Sequence, residues 1–215
     1  MITTILFDMD GVLVDSEPLA IKRSIKALTH LGLPYDIDMI KTCIGTSMER
    51  TFEILEEMIN GPLPENYEAL EEELMPHDTI DYNLHKMPGL DELIRYCRDN
   101  KFKTALCSSS PINRIYDILN SLNLTEFFDV VLSGESFTHT KPHPEIYLEA
   151  MKQLGVSKEE CLIIEDSYHG ILSGKNAGVT TIAFRNLFYE VDTSLADYVV
   201  DDLTEVIQLI ESLKK

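Results

Sequence analysis

From Pro88 onward the chain alternates short apolar runs with amphipathic stretches, and this alternation admits few folds. Lys103–Cys107, Asp129–Leu132, Cys161–Ile164, Val179–Phe184 and Tyr198–Val200 read as strands, and Ile2–Phe7 adds another at the N-terminal end. Several are unbroken apolar runs, as expected of strands covered on both faces. Helical spacing marks the stretches near Leu90–Arg98, Ile112–Leu122, Glu145–Leu154, Gly170–Ala177 and Thr204–Leu213. The expected fold class is α/β, a Rossmann-like doubly wound parallel sheet.

Residues 17–85 break that rhythm. Ile21, Ile25 and Leu28 recur at helical spacing, Thr46-Ser47-Met48-Glu49 reads as a capping box, and Asn60-Gly61-Pro62 stops the helix it opens. The expected organisation is a core of residues 1–16 and 86–215, with a small α-helical cap, 17–85, inserted after the first strand. Between Glu49 and Asp81 there are eleven acidic residues and one basic residue, Arg50. Such a run reads as a solvated helical face.

A formal charge of −19 over 215 residues, with no basic cluster, disfavours nucleic acid and anionic membranes as partners. No apolar run approaches the ~20 residues needed to span a bilayer. Acidic residues begin at Asp8 with no basic stretch before them, so a secretory leader is not expected and the chain reads as cytoplasmic. Cys43, Cys97, Cys107 and Cys161 lack CxxC spacing and read as reduced thiols, with Cys107 and Cys161 in the core.

In a parallel sheet, four polar clusters fall at the C-terminal ends of strands, where open α/β sheets place their ligands. The first is Asp8-Met9-Asp10-Gly11, two carboxylates that repel unless a cation or a shared proton relieves them. Mg²⁺, a hard cation taking oxygen ligands, suits them. An Asx-rich turn capping backbone amides would suit the pair as well. The second is Ser108-Ser109-Ser110-Pro111, with Ser110 expected as N-cap and Pro111 as the first helical residue. That arrangement points a helix N-terminus, an anion-binding feature, at the same edge. The third is Lys141-Pro142-His143-Pro144, a lysine in a loop stiffened by two prolines. The fourth, Glu165-Asp166-Ser167, ends a strongly apolar strand and needs charge compensation there. Together these groups form the inventory of metal-assisted phosphoryl transfer.

The order DxDG, serine after a strand, Lys-Pro and Glu-Asp resembles the haloacid dehalogenase-like hydrolase superfamily, nearest its β-phosphoglucomutase-like phosphatase branch. The resemblance covers essentially the whole chain, including the helical insertion. It implies a haloacid dehalogenase-like catalytic core with Asp8 as the nucleophile that forms an aspartyl-phosphate and Asp10 as general acid and then base. Ser108 and Lys141 would hold phosphoryl oxygens. Mg²⁺ would be held by Asp8, the backbone carbonyl of Asp10 and Asp166, with Glu165 ligating directly or through water. Ser109, Arg50 and Thr46 are candidate substrate contacts. The expected partner is a small phosphorylated metabolite of the sugar-phosphate class, bound by a monomer.

The chain departs from the mutase pattern in its cap. Ala20 stands where the mutase carries a histidine, Met48 stands where it carries an arginine, and the acidic run Glu65–Met75 offers no cap lysine. These departures favour hydrolysis over a mutase reaction. A non-catalytic phospho-acceptor domain is a further alternative, and Asp10, an acid/base two residues from the nucleophile, argues against it. His139 and His143 lack a matching ligand pair and read as loop residues, His169 as the start of a helix, and Arg185 as a surface residue.

Overall fold

A computed structural model describes residues 1–43, 48–185 and 191–213, with Met48 and Glu49 described by their backbone. Six strands form one parallel sheet: β1 (Thr4–Phe7), β2 (Lys103–Ser108), β3 (Val130–Ser133), β4 (Cys161–Glu165), β5 (Thr180–Phe184) and β6 (Tyr198–Val200). Their order is β3-β2-β1-β4-β5-β6. Every residue of β1 and of β4 is buried, which is why their sequences show no polar alternation.

Two compact units divide the chain, Met1–Asp15 with Asp81–Lys215, and Ser16–Ile80. The unit boundaries differ from the expected 16/17 and 85/86. Residues 81–85 belong with the sheet, because the Tyr82 amide donates to Ser121 Oγ (3.0 Å) and Asn83 Nδ2 to the Ser121 carbonyl (2.6 Å). Ser16 goes with the helices, since its carbonyl accepts from the Leu19 and Ala20 amides and starts the first of them.

The helical unit contains α1 (Glu17–His30), α2 (Ile37–Lys41), α3 (Met48–Ile59) and α4 (Tyr67–Leu74). Ala27, Leu28, Ile40, Leu55, Tyr67 and Leu70 form its core. Part of the acidic run is structural rather than solvated. Arg23 donates to Glu72 (3.0 Å) and to the Met75 carbonyl (2.6 Å), and Ser24 donates to Glu71 (2.8 Å), fastening α4 to α1.

The sheet unit adds α5 (Leu90–Asp99), α6 (Ile112–Leu122), α7 (Glu145–Leu154), α8 (Tyr168–Asn176) and α9 (Leu203–Leu213). No helix among the described residues is long and apolar enough to cross a membrane. Among the described residues no cysteine is in a disulfide, and Cys97, Cys107 and Cys161 are buried. Strands β2 and β4 each run one residue past the expected end, so Ser108 and Glu165 sit within the last paired rung.

Candidate active site

Register assembles the site. Phe7 pairs with Leu106 of β2 on one side and with Ile164 of β4 on the other. β2 and β3 extend the sheet on one side of β1 and β4 to β6 on the other, so the strand order reverses at β1, where such sheets open a crevice beyond the C-terminal strand ends. Asp8, Ser108 and the Glu165-Asp166 pair follow these three positions and reach the crevice together.

Asp8 is nearly buried, and its amide donates to the Ile164 carbonyl (3.0 Å). Lys141 arrives from the loop between β3 and α7. Its Nζ donates to Asp8 Oδ1 (2.6 Å), Glu165 Oε1 (2.5 Å) and the Cys107 carbonyl (2.8 Å), which uses all three ammonium hydrogens. Tyr147 of α7 donates to the same Glu165 oxygen (2.5 Å). Burial pushes the Asp8 carboxyl up to about 7, with Lys141 opposing and Glu165 reinforcing the rise. Burial also works against charge on Lys141, but Asp8 and Glu165 outweigh it and hold the ammonium above the ordinary lysine range.

Asp8, Glu165 and Asp166 each present a carboxylate oxygen within 4.8 Å of the others, and all three are buried. One lysine cannot neutralise three carboxylates, and the remaining deficit matches a divalent cation. An all-oxygen donor set fits a hard ion of that charge. The residues therefore suit a divalent metal.

Two glycines make room for this arrangement. Gly11 has φ +74°, and a Cβ there would lie 1.9 Å from Asp166 Oδ2. A Cβ on Gly170 in α8 would lie 1.9 Å from Glu165 Oε2. Ser167 caps α8 by accepting from the Gly170 amide (3.1 Å), and this brings that helix start close under Glu165.

Asp10 is held separately. Arg114 of α6 reaches it with both terminal nitrogens, Nη2 to Oδ1 (2.5 Å) and Nη1 to Oδ2 (2.7 Å), while Ser110 Oγ donates to Oδ2 (2.9 Å). This corrects the role expected for Ser110. Its hydroxyl serves Asp10 instead of capping α6, and Pro111 occupies the N-cap position without a side-chain bond. The Ile112 amide is satisfied instead by Glu135 Oε2 (2.9 Å). A charged acceptor in reach of Ser110 outcompetes an exposed amide that another carboxylate can serve.

Asp8, Asp10, Ser108, Lys141, Glu165 and Asp166 thus share one crevice. Ser108 is buried, and its Oγ accepts from the Ser110 amide (3.1 Å). Ser109, next in the chain, is exposed. Arg50 lies on α3 in the other unit, paired with Glu53 (2.7 Å) and Glu57 (3.4 Å). Thr46 lies outside the described residues. Arg185 is an exposed residue paired with Asp201, and His169 stands in the first turn of α8, both as expected. Gly11 is the glycine of the DxDG motif, whereas Arg114, Tyr147 and Gly170 carry no site signal of their own in the sequence. The usable signal for Arg114 was its position four residues after Ser110, one helical turn along.

The profile of the haloacid dehalogenase-like hydrolases matches residues 5–184. A phosphorylated carbohydrates phosphatase of Thermotoga maritima is 30% identical over 180 residues, covering 83% of this chain and 82% of the relative. Hexitol phosphatase B of Escherichia coli is 28% identical, covering 94% of this chain and 92% of the relative. A crystal structure of a proposed β-phosphoglucomutase from Thermotoga maritima superposes with a TM-score of 0.83 at 27% identity and covers 99% of both chains. With the DxDG strand end, the loop lysine and the Glu-Asp pair in one crevice, the chain belongs to the haloacid dehalogenase-like hydrolase family, in its β-phosphoglucomutase-like phosphatase branch.

Proposed function

We propose that this chain is a Mg²⁺-dependent phosphatase that hydrolyses a small sugar phosphate through an aspartyl-phosphate on Asp8. The observation that carries this reading is the convergence of Asp8, Lys141, Glu165 and Asp166, which combines a nucleophile, a fixed cation and a metal-ligand set. Mg²⁺ would be held by Asp8, Asp166 and the Asp10 carbonyl, with Glu165 ligating directly or through water. When bound, it supplies positive charge between an anionic nucleophile and an anionic substrate.

An Asp8 oxygen attacks phosphorus, the ester P–O bond breaks, and the departing oxygen takes a proton from Asp10, whose acid form requires one of its oxygens to leave the Arg114 fork. Ser108 binds a phosphoryl oxygen, and Lys141 exchanges one of its three present acceptors for another. A water molecule then attacks the same phosphorus and gives its proton to Asp10. The Asp8–phosphorus bond breaks, and inorganic phosphate leaves with Asp8 and Asp10 restored. Glu165 has one oxygen committed to Lys141 and Tyr147, so it also holds the lysine against Asp8.

The names of the two curated relatives, which act on phosphorylated carbohydrates and hexitol phosphates, support the sugar-phosphate class. Selectivity belongs to the helical insertion and adjoining loops, with Arg50, Thr46 and Ser109 as candidate contacts. The testing experiment is a panel of sugar phosphates assayed for released phosphate, with Mg²⁺ and with a chelator. Mg²⁺-dependent release that is lost in Asp8→Asn and Asp166→Ala is expected. Equal release in the chelator, or by a folded Asp8→Asn variant, would overturn the reading.

A further inference from the structure

His139 and His143 stand on either side of Lys141 in sequence, and their side chains meet on the solvent face of the loop. The rings stack with centroids 4.4 Å apart and planes 30° from parallel. Both Nδ1 atoms face one oxygen, Glu145 Oε2, from His139 at 3.2 Å and from His143 at 3.9 Å. Each of the three residues offers a ligand atom within 4.8 Å of the other two. Nitrogen and oxygen ligands around a tetrahedral ion with bonds near 2.0–2.1 Å lie about 3.3 Å from one another. Those two separations bracket that edge, so a small movement of His143 brings both ring nitrogens to bonding edges from Glu145 Oε2. The fourth corner faces solvent, since the side chains remain 60%, 49% and 37% exposed.

The support is firm. The His143 carbonyl accepts from Ser173 Oγ (2.9 Å), the Pro142 carbonyl from Asn176 Nδ2 (3.0 Å), and the His143 amide donates to the Thr140 carbonyl (2.9 Å). Glu145 is fixed by its place as the first residue of α7. The nearby cation Lys152 is paired with Glu149 (2.8 Å) and adds little repulsion. One carboxylate oxygen facing two ring nitrogens can bind a dication together with them, each neutral imidazole offering a lone pair.

We propose that His139, His143 and Glu145 form a second metal site, selective for imidazole-binding ions such as Zn²⁺, Ni²⁺ or Cu²⁺, that clips the loop carrying Lys141. It differs in kind from the all-carboxylate cluster, because two of its three ligands are nitrogens and favour borderline metals over Mg²⁺. The inference does not depend on the phosphatase reading.

The test uses the full chain stripped of metal, with excess Mg²⁺ to occupy the carboxylate cluster. Cu²⁺ is added for electron paramagnetic resonance, and Zn²⁺ binding is measured by calorimetry. Wild type should take up one ion with the nitrogen couplings of coordinated imidazole. His143→Ala and Glu145→Gln should weaken Zn²⁺ binding by roughly tenfold or more and remove those couplings. Their circular dichroism and Mg²⁺-dependent activity should remain at wild-type levels. Copper bound without imidazole couplings, or Zn²⁺ binding unchanged in both variants, would overturn the site.

Discussion

Arg114 grips Asp10 with both guanidinium nitrogens, at 2.5 Å and 2.7 Å, from a helix 104 residues further along the chain. A bidentate fork fixes the plane of a carboxylate as well as its position. On the proposed mechanism Asp10 must meet the leaving oxygen and later a water molecule, so its orientation bears on both steps. Arg114→Ala should lower kcat by roughly 10- to 100-fold with a smaller change in KM. Arg114→Lys should recover little, since an ammonium cannot form the fork. Steady-state kinetics on folded variants decides this, and an unchanged kcat would reduce Arg114 to a structural pair.

Asp8 yields a prediction about pH. Its folded carboxyl titrates near 7, against 3.8 ordinarily, because burial disfavours the anion. The folded state thus holds this proton more tightly than the unfolded chain. Asp8 costs no stability below about pH 4, costs progressively more between about 4 and 7, and imposes its full cost above that range. For metal-free protein, Asp8→Asn should therefore gain on wild type as pH rises from 5 to 8, by on the order of 2–4 kcal/mol. Mg²⁺ should correspondingly raise the Tm of wild type more at pH 8 than at pH 5, because it binds the ionised form. Equal Mg²⁺-induced shifts at both pH values would contradict the origin assigned to the raised pKa.

Lys141 is the cation between two buried carboxylates, and removing it leaves both uncompensated. Lys141→Ala should cost about 3–5 kcal/mol, the usual consequence of breaking a buried pair from one side. Mg²⁺ should restore part of this loss by neutralising Asp8. Urea unfolding with and without the ion measures both effects. A variant as stable as wild type without metal would mean the carboxylates are already protonated.

The sheet and the polar strand ends were legible because both are local patterns, apolar runs followed at once by Asp8, Ser108 or Glu165. Lys141 could be read because the prolines around it mark a stiff loop. Arg114 was hidden, since a single arginine on an amphipathic helix is indistinguishable from a solvated one until Asp10 arrives from the other end of the chain. Tyr147 reads as a core aromatic, and its hydroxyl matters only because Glu165 lies beneath it. The capping role expected of Ser110 failed for the same reason, because local propensity gave way to a distant charge. His139 and His143 read as plain loop residues because their shared carboxylate, Glu145, belongs to the helix beyond the second proline.

Gly170 offers a test of the space around Glu165. An added methyl would fall 1.9 Å from Glu165 Oε2 and 2.0 Å from its Cδ, and a buried carboxylate tied to Lys141 and Tyr147 cannot swing away freely. Gly170→Ala should therefore displace Glu165 and weaken Mg²⁺ binding, by roughly 10- to 100-fold if Glu165 supports the metal. The helix itself should tolerate alanine. Calorimetric Mg²⁺ titration of the variant checks this, and an affinity equal to wild type would remove Glu165 from the metal's surroundings.

The choice between hydrolysis and phosphoryl migration rests on what retains the intermediate. A mutase must hold a bisphosphate while it turns over, and does so with cap cations and polar groups. On the family resemblance Ala20 and Met48 fall at two of those positions, the run Glu65–Met75 is acidic, and Arg50 is engaged by Glu53 and Glu57. On the proposed mechanism an intermediate held this weakly departs, and water reaches the aspartyl-phosphate with Asp10 beside it. With β-glucose 1-phosphate and a bisphosphate activator, a mutase yields glucose 6-phosphate and little free phosphate. This chain should instead release one inorganic phosphate per turnover of its own substrate, whether or not the activator is present. Parallel assays of glucose 6-phosphate and of phosphate separate the two. Efficient isomerisation with negligible phosphate release would establish the mutase and leave the roles of Asp8 and the metal cluster unchanged, since both reactions begin with the same attack on phosphorus.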